Sequence, residues 1–107
     1  MRVELHPEAR AELRAVAIWS DERRARLGEE FVAEVSATLN RIANAPASFP
    51  LWPNVTGTAA PVRKAPVHRF PYVIAFEAHA DNALVLAVAH ARLRPLYWLT
   101  RAHRGSV

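Results

Sequence analysis

The chain has 107 residues, just over half of them hydrophobic, with no cysteine and a formal net charge of +4. This length suits one domain, residues 1–107, and the lack of cysteine excludes disulfides and thiolate metal sites. Residues 1–40 carry six arginines and eight acidic residues, a net −2, whereas residues 41–107 carry seven arginines, one lysine and two acidic residues, a net +6. The second half therefore predicts an anionic partner, either nucleic acid or an acidic protein segment.

The beginning of the chain predicts a short strand followed by a helix. Val3 and Leu5 alternate with charged residues, which is typical of a half-buried strand. Pro7 suits the first position of a helix, and Glu8 suits the positive end of the helix dipole. This first helix is expected to end near residues 27–28.

A second helix is predicted from Glu29-Glu30 to Pro46, which stops it. Its apolar stripe has the spacing of a helix face and consists of Phe31, Val35, Thr38, Leu39 and Ile42. Because few residues separate the two helices, they are expected to form an antiparallel hairpin.

The remainder of the chain predicts a loop and three strands. Residues 46–61 contain four prolines and one glycine, which is typical of a loop. Residues 62–67 suit an edge or irregular strand because Pro66 interrupts them. Residues 72–77 and 84–89 are rich in β-forming residues and predict a hairpin around an Asp81-Asn82 turn. Residues 96–103 are expected to form one or two helical turns. The order β-α-α-β-β-β predicts an α+β fold, an antiparallel sheet packed against an N-terminal helical hairpin.

Several classes of function lack a signature in this sequence. Three glycines supply neither a phosphate-binding loop nor a nucleophile elbow, and the five histidines, at positions 6, 68, 79, 90 and 103, form no i, i+4 pair. We therefore expect no metal site and no cofactor. The chain starts with charged residues, and its longest apolar run, residues 83–89, is far shorter than the roughly 20 residues of a membrane span, so we expect a cytoplasmic protein without membrane contacts.

The chemistry-bearing residues gather near the ends of the predicted hairpin. An antiparallel meander places residues 69–72 beside residues 90–94, which brings together Arg69, Tyr72, His90, Arg92 and Arg94. Arginines bind phosphate or carboxylate, and a metal-free ribonuclease could use Tyr97 or His90 to carry protons. In the alternative interpretation, Tyr97 and Trp98 cap the core and the arginines are solvated or bind a partner carboxylate.

An ordered set of motifs in this chain resembles the ParE/RelE family of toxins. The motifs "LHPEARAEL" and "LGEEFVAEV" in the first half are similar to the opening of that family's two helices, and "RFPY" and "VLAVAH" in the second half are similar to its strands. Basic and aromatic residues complete the set in the family's order: Arg63-Lys64, Arg92, Arg94-Pro95 and Tyr97-Trp98.

The resemblance implies the toxin of a type II, plasmid-stabilisation type toxin–antitoxin system, which arrests growth and is neutralised by a cognate antitoxin. ParE-like members act on DNA gyrase, whereas RelE-like members bind the ribosome and cleave mRNA without a metal. Val73 stands where RelE-like members usually carry a basic residue, and this departure favours the ParE-like branch. Ser20 replaces a tyrosine common in that branch. A degenerate toxin that only binds antitoxin is a third possibility.

The resemblance also assigns candidate roles to individual residues. In the ribonuclease interpretation the catalytic residues are Arg92, Arg94 and Tyr97. The residues expected to bind the target or the antitoxin are Arg63, Lys64, Arg69, Tyr72, His90 and Trp98. An amphipathic antitoxin tail would use this basic face together with an apolar rim around Phe49, Trp52 and Trp98.

Overall fold

A computed structural model describes residues 1–93 and 96–103; Arg94 and Pro95, both named above, lie outside the described residues. The elements are β1 (Arg2–Leu5), α1 (Pro7–Arg23), α2 (Leu27–Asn44), a 3-10 turn (Pro46–Ser48), β2 (Val62–Pro66), β3 (Tyr72–Ala78), β4 (Asn82–His90) and a second 3-10 turn (Leu99–Arg101). This order confirms the predicted α+β fold with its N-terminal helical hairpin. None of the helices among the described residues has the length and apolar character to cross a membrane.

The sheet is mixed, which corrects the expectation that it is antiparallel throughout. Its strand order is β1-β4-β3-β2, and β1 pairs parallel with the first half of β4, from Arg2 opposite Asn82 to Leu5 opposite Val85. A parallel pair requires a long connection between its strands, and the helical hairpin, the following loop, β2 and β3 all lie between β1 and β4 in the chain. The predicted meander holds for the other three strands, and β2 is an edge strand that ends at Pro66, as expected.

The β3–β4 hairpin has the expected pairing and one irregularity. His90 lies opposite Tyr72, as the predicted meander requires. A bulge interrupts the β3–β4 pairing: Ala75 faces Ala87 and Phe76 faces Val85, so Leu86 has no partner on β3. Alternation of side chains does not reveal such an inserted residue.

Hydrophobic clusters lie on both faces of the sheet. Between the helices and the sheet, Phe31 and Ile42 of α2 pack with Ile74, Phe76 and Val85. The opposite face is covered by the loop after α2 and by residues 96–103, which we call the C-terminal segment. The buried residues of the hydrophobic cluster on this face are Val62, Ala75, Leu86, Ala87, Ala89 and Trp98. The sheet is therefore a middle layer.

The helices pack tightly against each other at Gly28, which lies in the first turn of α2 and not between the helices as expected. Its backbone N–H donates to the Asp21 carboxylate at 2.7 Å. A Cβ at this position would lie 2.3 Å from the carbonyl oxygen of Ala17 and 2.8 Å from the Asp21 side chain. The absence of a side chain thus sets the distance between α1 and α2.

We expect Gly28→Ala to lower the free energy of unfolding by about 2–3 kcal/mol, because overpacking against a backbone oxygen outweighs the better helix propensity of alanine. Urea denaturation followed by circular dichroism measures this loss. The control is Gly57→Ala, because nothing lies within 4 Å of the added Cβ. Only the positive φ of +76° is unfavourable for alanine there, and we expect it to lower the free energy of unfolding by about 1 kcal/mol. Equal losses in the two variants would contradict this account of the hairpin.

Candidate functional site

Two tryptophans cover the sheet face opposite the helices. Trp98 of the C-terminal segment is buried, and its ring packs edge to face on Trp52 at a centroid distance of 4.9 Å. The backbone N–H of Trp52 donates to the carbonyl of Val62 at 2.8 Å, which fixes the loop to the edge strand. Such T-shaped pairs add stability beyond the burial of area. The pair therefore forms a rigid wall.

A pocket of about 280 Å³ opens beside this wall. Its polar members are Lys64, His90 and Tyr97, and the rest of its lining consists of Trp52, Trp98, Val73, Ala89, Ala91 and Leu93. The Lys64 ammonium lies 5.8 Å from the centroid of the Trp52 ring. A mostly apolar pocket with a few convergent polar groups is the usual form of a binding site.

His90 is oriented by its neighbours on both sides. Its Nδ1 accepts the backbone N–H of Arg92 at 3.0 Å, so in the neutral ring the proton resides on Nε2. Its ring packs edge to face on Tyr72 at 5.1 Å, and Tyr72 packs in the same way on Phe31 at 5.2 Å. Burial raises the pKa of Tyr72. The pocket wall is thereby continuous with the core under the helices.

The Tyr97 hydroxyl is bound to a carboxylate from α1. It donates to Glu12 Oε2 at 2.7 Å, while Arg101 donates to Glu12 Oε1 at 3.0 Å. Burial, and then the Glu12 carboxylate, raises the pKa of Tyr97 well above its ordinary value. Proton transfer from this hydroxyl would leave two adjacent anions, so the site opposes it.

Glu12 and Arg101 also complete an open strand edge. β1 pairs with β4 only as far as Val85. Beyond that point the Val88 N–H donates to Glu12 Oε1 at 3.0 Å, and the Leu86 carbonyl accepts from Arg101 at 3.0 Å. Sequence reasoning missed both residues, because Glu12 lies on a charged helix and its partners follow 76 to 89 residues later.

The predicted basic residues are dispersed. Arg69 donates to Glu30 of α2 at 2.9 Å and lies 3.6 Å from Glu34, so α2 neutralises it. Arg63 donates to the carbonyl of Phe49 at 2.7 Å and so anchors the loop. Arg92 is exposed beside the pocket. Of the predicted site residues, the structure therefore brings together Lys64, His90, Tyr97 and Trp98, with Tyr72 directly behind them.

The apolar rim differs from the expected one. Phe49 and Trp98 are buried, at 9% and 1% exposure, so they add little area to the outer surface, although Trp98 lines the pocket. Leu51 and Leu93 are more than half exposed instead, at 57% and 56%. The reason is that the aromatic side chains fill the two faces of the sheet, which leaves the flanking leucines at the surface.

The family model described as the ParE toxin of the type II toxin–antitoxin system, parDE, matches residues 3–94. The chain belongs to the ParE toxin family. A solved structure described as the chromosomal ParDE TA system from P. aeruginosa is similar at a TM-score of 0.70 and 16% identity, covering 84% of this chain and 95% of that chain. No curated protein matches. At such low identity the structural likeness shows the fold, and it agrees with the resemblance stated above.

Removal of the Tyr97 hydroxyl oxygen tests whether its hydrogen bond to Glu12 stabilises the fold. We expect Tyr97→Phe to lower the free energy of unfolding by about 1.5–2 kcal/mol, since it removes a hydrogen bond to a charged and largely buried acceptor. Urea denaturation is the measurement. The control is Tyr72→Phe, whose hydroxyl has no hydrogen-bond partner among residues 1–93 and 96–103 and whose loss should change stability by less than about 0.5 kcal/mol. An unchanged free energy of unfolding in Tyr97→Phe would contradict a stabilising role for the hydrogen bond from Tyr97 to Glu12 of α1.

Proposed function

We propose that this ParE-family toxin is held inactive by a cognate antitoxin and, once free, arrests bacterial growth by acting on DNA gyrase. In this proposal it acts through contacts of its surface and performs no chemistry of its own. The observation that carries the proposal is the Tyr97 hydroxyl, which donates to Glu12 at 2.7 Å. Gyrase is a cytoplasmic enzyme, so the proposed place of action is the cytoplasm.

The pocket supports binding better than proton transfer. The hydroxyl of Tyr97 is occupied by Glu12, and the raised pKa of Tyr97 keeps it protonated, so it is a poor proton donor and is not available as a base. Val73 contributes an apolar side chain to the lining. RelE-like members usually carry a basic residue there, so the pocket has one cation fewer to stabilise charge on a phosphate.

The surface around the pocket suits an antitoxin segment that is both apolar and acidic. Leu51, next to Trp52 in the chain, and Leu93 of the pocket lining provide exposed apolar area, and Lys64 and His90 of the lining provide polar groups. An amphipathic segment could place its apolar side chains on the leucines and its carboxylates on Lys64. This arrangement supports the proposal of a cognate antitoxin as the partner.

A ribosome-dependent, metal-free mRNA endonuclease is the second candidate function. The observation that favours it is the presence of Lys64 and His90 in one pocket, a cation and a proton carrier. Arg92 is exposed next to them. A degenerate toxin that retains only the antitoxin contact is the third candidate.

Inducible expression in a bacterium with a DNA-damage reporter tests the proposal. We expect growth arrest with the reporter on, and cleaved plasmid DNA when the purified chain is added to gyrase. His90→Gln keeps the size and polarity of the side chain but removes its proton transfer, and we expect it to retain both effects within about threefold.

The two alternatives give different results in the same experiment. Arrest with a silent reporter, and mRNA cuts in a translation extract that His90→Gln abolishes, would replace gyrase by mRNA as the target. Normal growth of a host that makes the full-length chain, together with tight binding of the antitoxin, would indicate the degenerate toxin.

A further inference from the structure

A carboxylate outside the pocket is completely buried. Glu77 of β3 has no exposed area and lies on the sheet face that the C-terminal segment covers. Its Oε2 accepts the backbone N–H of His103 at 2.7 Å. Its Oε1 lies 2.8 Å from His103 Nδ1 and 3.4 Å from His79 Nε2.

No lysine or arginine in the described part of the chain forms an ion pair with this buried carboxylate. Within residues 1–93 and 96–103, its ion-pair partners are His79 and His103, which are charged only when protonated. Burial of a carboxylate is costly unless a cation compensates it. A bound cation would supply that compensation without requiring either imidazole to be protonated.

The three side chains converge as ligands of one ion do. Both imidazole nitrogens approach the same oxygen, Oε1, and one donor atom from each residue lies within 4.8 Å of the other two. The two rings are edge to face, with centroids 5.5 Å apart, so they do not block each other. With zinc–ligand bonds of about 2.0–2.2 Å, tetrahedral ligands lie about 3.4 Å apart. The 3.4 Å between Glu77 Oε1 and His79 Nε2 already matches this spacing. The 2.8 Å between Oε1 and His103 Nδ1 would have to lengthen by about 0.6 Å, and the two histidine nitrogens, which lie within 4.8 Å of each other, would have to approach by at most about 1.4 Å, which rotation of the side chains can supply.

Backbone hydrogen bonds hold both histidines in place. The His103 carbonyl accepts the Ala59 N–H at 2.9 Å, in addition to the bond from its own N–H to Glu77. The His79 N–H donates to the carbonyl of Asn82 at 2.9 Å in the β3–β4 turn. The His103 side chain is nevertheless 62% exposed, which leaves room for a solvent ligand. The site is therefore preorganised and accessible.

We propose that Glu77, His79 and His103 bind one zinc ion, with water as the fourth ligand. Two imidazoles and one carboxylate are a donor set that zinc accepts. The ion compensates the buried carboxylate and fastens the C-terminal segment to β3. Sequence reasoning expected no metal site because it sought paired histidines on one helix, whereas these ligands come from a strand end and from a segment 24 residues later. The proposal is independent of the gyrase proposal.

Zinc titration of the metal-stripped, tag-free, full-length chain tests the site, with zinc chloride as the only probe. We expect one zinc per chain with a micromolar or tighter Kd. We also expect the Tm to rise by roughly 10 °C at a free zinc concentration one hundred times the Kd. The absence of a zinc-dependent rise in Tm would overturn the proposal.

Single histidine variants locate the ion. His79→Ala and His103→Ala should each weaken zinc binding at least about tenfold and remove the visible spectrum of tetrahedral Co²⁺ in the cobalt-loaded chain. His68→Ala, at an exposed histidine before β3, should leave both unchanged. If His79→Ala and His103→Ala bind zinc as tightly as His68→Ala, the ion is bound elsewhere. If the Tm of His103→Ala lies below that of the unaltered chain by the same amount in zinc and in EDTA, zinc adds no stability and the cluster is held by hydrogen bonds alone.

Discussion

The carboxylate of Glu12 is the contact on which the arrangement of the sheet, the pocket and the C-terminal segment depends. It joins α1 to the Val88 amide of β4, to the Tyr97 hydroxyl and to the Arg101 guanidinium. Without it, the Val88 amide and the Tyr97 hydroxyl would lose the partner that the structure gives them, and an unpaired, partly buried polar atom costs more than an average hydrogen bond contributes. A short β1 is tolerated because Glu12 and Arg101 complete the edge that it leaves open.

Because Glu12 serves the structure in this way, fewer polar groups of the pocket are free to contact a ligand. Tyr97 lines the pocket, yet its hydroxyl belongs to the contact with α1. Arg69 is similarly occupied by the α2 carboxylates. What faces outward is Lys64, His90 and exposed apolar area, a composition that suits recognition of another macromolecule more than acid–base catalysis. The same fold can thus serve different functions through the residues placed at one sheet end.

Local patterns in the sequence predicted the elements, and distant contacts set the site. Helical periodicity was sufficient for α2, and β-forming runs were sufficient for the β3–β4 hairpin. The parallel pairing of β1 and the bulge at Leu86 were not predictable, because neither changes the local pattern. The bond of Arg69 to Glu30 spans 39 residues and that of Tyr97 to Glu12 spans 85. A charged residue on a helix gives no sign of which distant group it will meet.

The C-terminal segment is attached to the rest of the molecule by a carboxylate at each end. Glu12 binds Tyr97 and Arg101, and Glu77 binds the backbone and ring of His103. Between these points, Trp98 closes the second core and forms a wall of the pocket. The residues that attach this segment therefore also line the candidate site. Detachment of either end of this segment would open the pocket as well. Loss of activity in a variant of the segment therefore indicates a lost contact with the target only if the free energy of unfolding of that variant is unchanged.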